Sequence, residues 1–184
     1  MTRLDRISER LNLKEFQLKA LLDVTKAINN NLGTAELLQL YESIMQEQLG
    51  ITRLMLFKRV QGWERILAFG TTPSETELDA EHLFGQFTDI SLIDIQGLSG
   101  FDLAVPVFHR EQPLALLLVG DIDEESQRMS PTVKHLNFIQ TLTNLIVVAM
   151  ENKRMGKLAL QQERDRRELE LAAEMQGMLI PNEL

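Results

Sequence analysis

From residue 4 to residue 32, apolar side chains return every three or four positions, at Leu4, Ile7, Leu11, Leu18, Leu21, Ile28 and Leu32. Only Lys14 and Thr25 interrupt the spacing. Held for about four heptads, it predicts a helix with a coiled-coil-like seam. An amphipathic helix lying on its own domain gives the same spacing, and Phe16, Leu22 and Val24, off the seam, indicate that both surfaces are used. Asn29-Asn30-Asn31 and Gly33 end this helix. Thr34 is the expected cap of a second one, with Glu36 at the positive end of its dipole. Leu37, Leu38, Leu40, Tyr41, Ile44, Met45 and Leu49 give the second helix a broad apolar stripe before Gly50 stops it.

The period then switches from 3.6 to 2. Residues 51–60 alternate, Gln61-Gly62 makes a turn, and Trp63 to Phe69 follow, which predicts a β-hairpin. After a polar loop over 70–77, a short helix is expected over 78–87 and a short strand over 88–95. Residues 101–109 and 113–121 form a second hairpin around Arg110-Glu111-Gln112. Leu114 to Val119 is apolar throughout, as in a strand covered on both faces. Antiparallel strands with helices at both ends define an α+β fold.

The last long pattern is a helix expected from the Ser130-Pro131 start signal to Ile180, before Pro181. About fifty residues at 1.5 Å each span roughly 75 Å, two to three times the width of a small domain, so part of this rod is expected to project. Over 136–150 the apolar residues occupy more than one face, which predicts two apolar neighbours. Gln161 to Glu168 contains no apolar residue, but Glu163 with Arg167 and Arg164 with Glu168 stand one turn apart with opposite charge. Apolar residues return at Leu171, Ala172, Met175, Met178 and Leu179, a stripe with nothing after it to pack on. The chain is expected to stop where another domain starts.

Composition narrows the function. A chain of 184 residues with 44% hydrophobic content supports one core, of roughly 120 to 140 residues once the polar-faced helices are set aside. A net charge of −8 without a basic cluster argues against nucleic acid or an anionic membrane as partner. No bilayer-length apolar run or signal pattern is present, which predicts a cytoplasmic protein. The absence of cysteine excludes disulfides, thiol catalysis and Cys-based zinc sites. His82, His109 and His135 stand apart, without metal-ligand spacing, and Asp121, Asp123, Glu124 and Glu125 lack the glycine and closing glutamate of a calcium loop. No phosphate loop or nucleophile elbow occurs, so this chain is expected to have no enzymatic activity, no catalytic or metal site and no cofactor.

Leu103-Ala104-Val105-Pro106-Val107, then Pro113 to Val119, then a helix through Asn144 to Glu151-Asn152, resemble the second half of a GAF domain, the resemblance covering roughly residues 34–152. Ala115 and the Arg-Glu-Gln turn stand where that family usually has glycines. The resemblance implies a small-molecule ligand, with Phe57, Trp63, Phe69, Phe84, Phe87 and Phe101 as the aromatics available to line a pocket or simply fill a core. The cyclic-nucleotide signature is not met, because no phenylalanine follows Asn152-Lys153, and tetrapyrrole attachment needs a cysteine.

A second resemblance lies in Glu168 to Pro181. Its order E-L-E-x-A-x-x-x-Q-x-x-L-x-P is similar to the segment that introduces the PPM-type phosphatase domain of bacterial partner-switching regulators. It implies a metal-dependent protein serine/threonine phosphatase domain downstream, and metal ions only there. The domain expectation is therefore an N-terminal helix over 1–33, a GAF-like sensor over 34–152 and a coiled-coil linker over 153–184.

The combined expectation is a homodimeric regulatory module. Its dimer interface is placed at Leu4, Ile7, Leu11, Leu18, Leu21, Ile28, Ile139, Leu142 and Ile146, and its linker switch at Leu171, Met175, Met178 and Leu179. Leu160 to Leu171 is an eleven-residue step, which locally unwinds a left-handed supercoil and gives the linker two arrangements of similar energy. The alternatives are the sensor half of a histidine kinase, which needs a phosphoacceptor histidine on the dimeric helix, and a scaffold that binds no ligand.

Overall fold

Thr2 starts the first helix, α1 (Arg3–Asn29), with a capping box: its hydroxyl accepts from the Asp5 N–H at 3.2 Å and the Asp5 carboxylate accepts from the Thr2 N–H at 2.9 Å. In this computed structural model, residues 2–72, 80–94, 98, 100–120 and 135–179 are described. Of the expected stop residues it is Asn31 (φ 58°) that closes the helix: the Leu32 N–H reaches the Ala27 carbonyl and the Asn31 N–H that of Ile28, a Schellman closure. Gly33, not Thr34, caps α2 (Thr34–Ser43), and Glu36 accepts from the Gly33 N–H at 2.9 Å. A π-helical turn (Ile44–Gln48) continues α2, and Gly50 (φ 70°) closes it.

Among the described residues five strands form one antiparallel sheet: β1 (Arg53–Arg59), β2 (Trp63–Phe69), β3 (Ser91–Leu92), β4 (Leu103–His109) and β5 (Gln112–Gly120). The order is β2-β1-β5-β4-β3, so β5 is central, as its apolar run requires. Leu54 pairs with Val119 and Leu103 also with Val119, while a bulge opposite Leu56/Phe57 takes up Ile66. The β4–β5 loop is only two residues, Arg110 (φ 49°) and Glu111 (φ 66°), because Gln112 already pairs with His109. Both residues adopt the left-handed conformation that glycine and asparagine take at lower cost. The helix expected over 78–87 is described as α3 (Ala80–Phe84), and the strand over 88–95 shortens to the two residues of β3.

One sheet face carries Met55, Phe57, Ala104, Leu116 and Leu118, which pack with Leu83, Phe87, Leu98 and Phe101 from α3 and the loops. Their alternating neighbours Leu54, Leu56, Val105, Leu117 and Val119 point the other way and are equally buried. On that side α2 and the long helix α4 (Leu136–Leu179) supply Leu37, Tyr41, Ile44, Ile139, Leu142 and Ile146, each at most 1% exposed. The Ser130-Pro131 start and the Pro181 stop lie outside the described residues. Gly120 has no room for a side chain, because a Cβ there would run into the Gly100 carbonyl oxygen. The chain divides into two units, Met1–Val148 and Ala149–Leu184, and α4 contributes to both.

Candidate functional site

Helix α1 has two apolar faces. At 100° per residue, Leu13, Phe16, Ala20, Val24 and Ala27 fall on one side of the cylinder, and Leu4, Ile7, Leu11, Leu18 and Leu22 fall nearly opposite. The first set lies against the chain's own domain: Ala20, Val24 and Ala27 are buried, and Phe16 packs on Phe138 of α4 with ring centroids 6.3 Å apart. The second set is open to water, from Ile7 at 45% to Leu4 at 76% exposed. Of the expected interface residues, Leu4, Ile7, Leu11 and Leu18 occupy this outer face, whereas Leu21 and Ile28 are half-buried beside the inner one. Leu22 belongs to the outer face and was not among those expected.

Ile139, Leu142 and Ile146 require a correction, because each is 0% exposed within a single chain. They are core residues of the sheet-covering face of α4 and offer no surface to a second copy. The face that α4 leaves open in this unit carries Asn137, Gln140, Thr141 and Asn144, all exposed and uncharged. Two grooves flank that strip. One is lined by Lys14, Gln17, Leu18 and Leu21 of α1 with Asn137, Phe138 and Thr141. The other runs along Pro106, Val107 and Phe108 of β4 with Gln140, Thr141 and Asn144.

Polar contacts tie the helices of this unit together. The Tyr41 hydroxyl of α2 stands 2.8 Å from Thr143 Oγ1 of α4, both wholly buried. Burial, the larger effect, pushes the Tyr41 phenol well above its ordinary pKa, against the opposing pull of the bond to Thr143. At the start of α4, the Gln17 amide of α1 donates to His135 Nδ1 at 3.3 Å. His135 is 9% exposed.

Five of the six expected aromatics pack against the core or one another, and Phe69 at the end of β2 is half-buried. Phe57, Phe87 and Phe101 join the core cluster, while Trp63 stacks on Phe84 at 4.7 Å and Phe84 meets Phe108 edge-on at 5.4 Å. Phe108, at a hairpin end, was not among the aromatics expected there. Among the described residues no cluster of three or more His, Cys, Asp or Glu is placed to hold a metal ion, and the acidic run at 121–125 lies outside them. No described helix is long and apolar enough to cross a membrane.

In the second unit, Leu160, Leu169, Leu171, Met175 and Met178 are all at least 59% exposed. Leu171, Met175 and Met178 are thus surface residues of the helix, and the side chain of Leu179 lies outside the described residues. Between Leu160 and Leu169 the helix is held by its own charges, with Arg166 as the hub: 2.8 Å to Glu163 and 2.6 Å to Glu170. Arg167 adds a bond to Glu163 at 3.2 Å. The Arg166 hydrogen bond first, then that from Arg167, holds the Glu163 carboxyl below its usual range.

The α+β architecture, a five-stranded antiparallel sheet with helices and a long C-terminal helix, is that of GAF domains. The GAF domain of a protein described as a sensor histidine kinase from Pseudomonas syringae pv. tomato superposes with a TM-score of 0.61 at 13% identity, over 85% of this chain and 99% of that domain. The GAF domain of an Acinetobacter phosphoenolpyruvate-protein phosphotransferase gives 0.55 at 15% identity, over 76% and 95%. Residues 122 to 287 of a methyl-accepting chemotaxis protein give 0.51 at 15%, over 74% and 99%. No family model matches the sequence, and no curated protein does.

Proposed function

We propose that this chain is the regulatory module of a bacterial PPM-type protein serine/threonine phosphatase. In this reading the GAF-type unit senses, and α1 and the far part of α4 pair with a second copy. A change in the sensor alters how the paired helices cross, and Leu171, Met175, Met178 and Leu179 pass that change to a phosphatase domain that follows. In this reading the chain itself is not an enzyme, needs no cofactor and works in the cytoplasm. A small-molecule ligand, where one acts, binds in the GAF-type unit.

The observation that carries the reading is the outer face of α1. Five large apolar side chains stand in water there, on the side turned away from their own domain. Burying a leucine is worth about 1.5 to 3 kcal/mol. Four partly exposed leucines and one isoleucine on each of two chains together match the ~4–15 kcal/mol that association costs. The surface stripe Leu171, Met175 and Met178 and the order of residues over 168–181 support the phosphatase connection. The histidine-kinase alternative is less well supported, since the histidine at the start of α4, His135, is buried against α1.

The test is to express the chain with the coding sequence that follows it and assay manganese-dependent hydrolysis of a phosphoserine peptide. Hydrolysis that falls several-fold in the Met175→Asp variant supports the proposal. An ATP-binding domain and autophosphorylation in its place would overturn it.

A further inference from the structure

We propose that the second copy lies parallel and in register along the outer face of α1, with Arg10 of each chain opposite Glu15 of the other. The inference rests on the reading that the chain is a dimer, and adds the sense of pairing. In heptad terms Leu4, Leu11 and Leu18 hold the first core position and Ile7 and Lys14 the second, with the half-buried Leu21 at the edge of the seam. One flank of the seam then carries Arg3, Arg10 and Gln17, the other Ser8, Glu15 and Leu22. All but the half-buried Gln17 are exposed.

In a parallel pair, each residue of the first flank meets the residue five places later on the second flank of the other chain. Arg10 then meets Glu15 twice per dimer, while Gln17, held at His135 of its own chain, adds no charge to the seam. In an antiparallel pair like flanks meet, so the flank that carries Arg10 faces the same flank of the other chain, the flank that carries Glu15 does likewise, and no opposite charges gain. Charge complementarity therefore selects the parallel sense. Lys14 selects the register: aligned in register, both lysines share one layer next to the two Glu15 carboxylates, and their stems can carry the ammonium groups out to water. A shift of one heptad would set each lysine against a leucine or isoleucine layer and make two defects out of one.

The surroundings agree with this geometry. Residues 3–12 are exposed all round, so three turns of α1 have no cover from their own chain, and a lone helix of that length is marginal in water. The strip beside Leu18 on α4, Asn137, Thr141 and Asn144, carries no charge, so it sets no repulsion against an approaching copy.

Because the chain has no cysteine, single cysteines report the geometry. Leu4→Cys and Leu18→Cys variants are oxidised separately and mixed, with sedimentation in parallel. The expected result is a disulfide-linked dimer from each variant alone, since facing Cα atoms of a parallel seam lie within the ~4.4–6.8 Å that a disulfide spans. The mixture should give no product that joins position 4 of one chain to position 18 of the other. Arg10→Glu should weaken association about tenfold at low salt, and Arg10→Glu with Glu15→Arg should restore it. Cross-linking only between positions 4 and 18 overturns the parallel sense and leaves the dimer standing. A dimer that cross-links in neither way overturns the choice of surface, and a monomer overturns both this inference and the reading beneath it.

Discussion

The buried pair Tyr41 and Thr143 predicts an asymmetry between two small substitutions. Thr143 Oγ1 is 2.7 Å from the Ile139 carbonyl, so its single proton goes there, and the Tyr41 O–H is the donor in the 2.8 Å contact between the two side chains. Tyr41→Phe removes that donor while Thr143 keeps its own acceptor, and should cost about 1 kcal/mol. Thr143→Val leaves a phenol O–H stranded where no water reaches, and should cost about 1–3 kcal/mol. The double variant should cost less than the sum by about 1 kcal/mol, because the stranded group is gone. Urea unfolding at fixed protein concentration, with unchanged m-values, reads all three. The pair also sets a pH signature. Burial raises the folded phenol's pKa, so its contribution is complete below about pH 10, where the unfolded phenol is protonated too. Above that the unfolded chain releases a proton that the folded chain keeps, and stability falls by about 1.4 kcal/mol per pH unit until the folded pKa is reached. Between about pH 9 and pH 11 the wild type should lose about 1 kcal/mol more than Tyr41→Phe. Equal costs for the two single substitutions would refute the assignment of donor and acceptor, and the same alkaline slope with and without the phenol would refute its burial.

Leu142→Ala should lower stability by about 2–5 kcal/mol and leave the oligomeric state unchanged, as urea unfolding and sedimentation would show, because Leu142 is core and not interface. Replacing Arg110 by Asn and Glu111 by Gly should raise the unfolding free energy by about 1 kcal/mol, since both positions have positive φ. In a peptide of residues 151–179, Arg166→Gln should reduce helicity by circular dichroism in low salt, and the difference should shrink at about 1 M NaCl, because every bond of this hub is exposed to solvent.

The exposed apolar face of α1 was legible up to Leu18, and the expected spacing drifted off it beyond that. A strict seven-residue repeat slips about 20° per heptad around a straight helix, so by the third heptad Leu21 and Ile28 have turned toward the domain and Leu22 has taken the outer face. For α4, the sequence shows apolar residues on several faces over 136–150 but not which face the sheet covers. That depends on strand order, and the answer placed Ile139, Leu142 and Ile146 inside and the Asn137–Asn144 strip outside. The central place of β5 was readable from its unbroken apolar run. The two-residue turn at Arg110-Glu111 was not, since neither residue type signals positive φ. Phe108 was overlooked because its partner Phe84 is distant in sequence and meets it only through the sheet.

The claim on which the functional account depends is that the outer face of α1 is covered by a second copy. Sedimentation equilibrium of the 184-residue chain at micromolar concentration, beside its Leu11→Glu/Leu18→Glu variant, tests it most directly. The account predicts twice the chain mass for the wild type and a shift toward single chains for the variant. A wild type that sediments as one chain, or a variant that associates as tightly as the wild type, would contradict it.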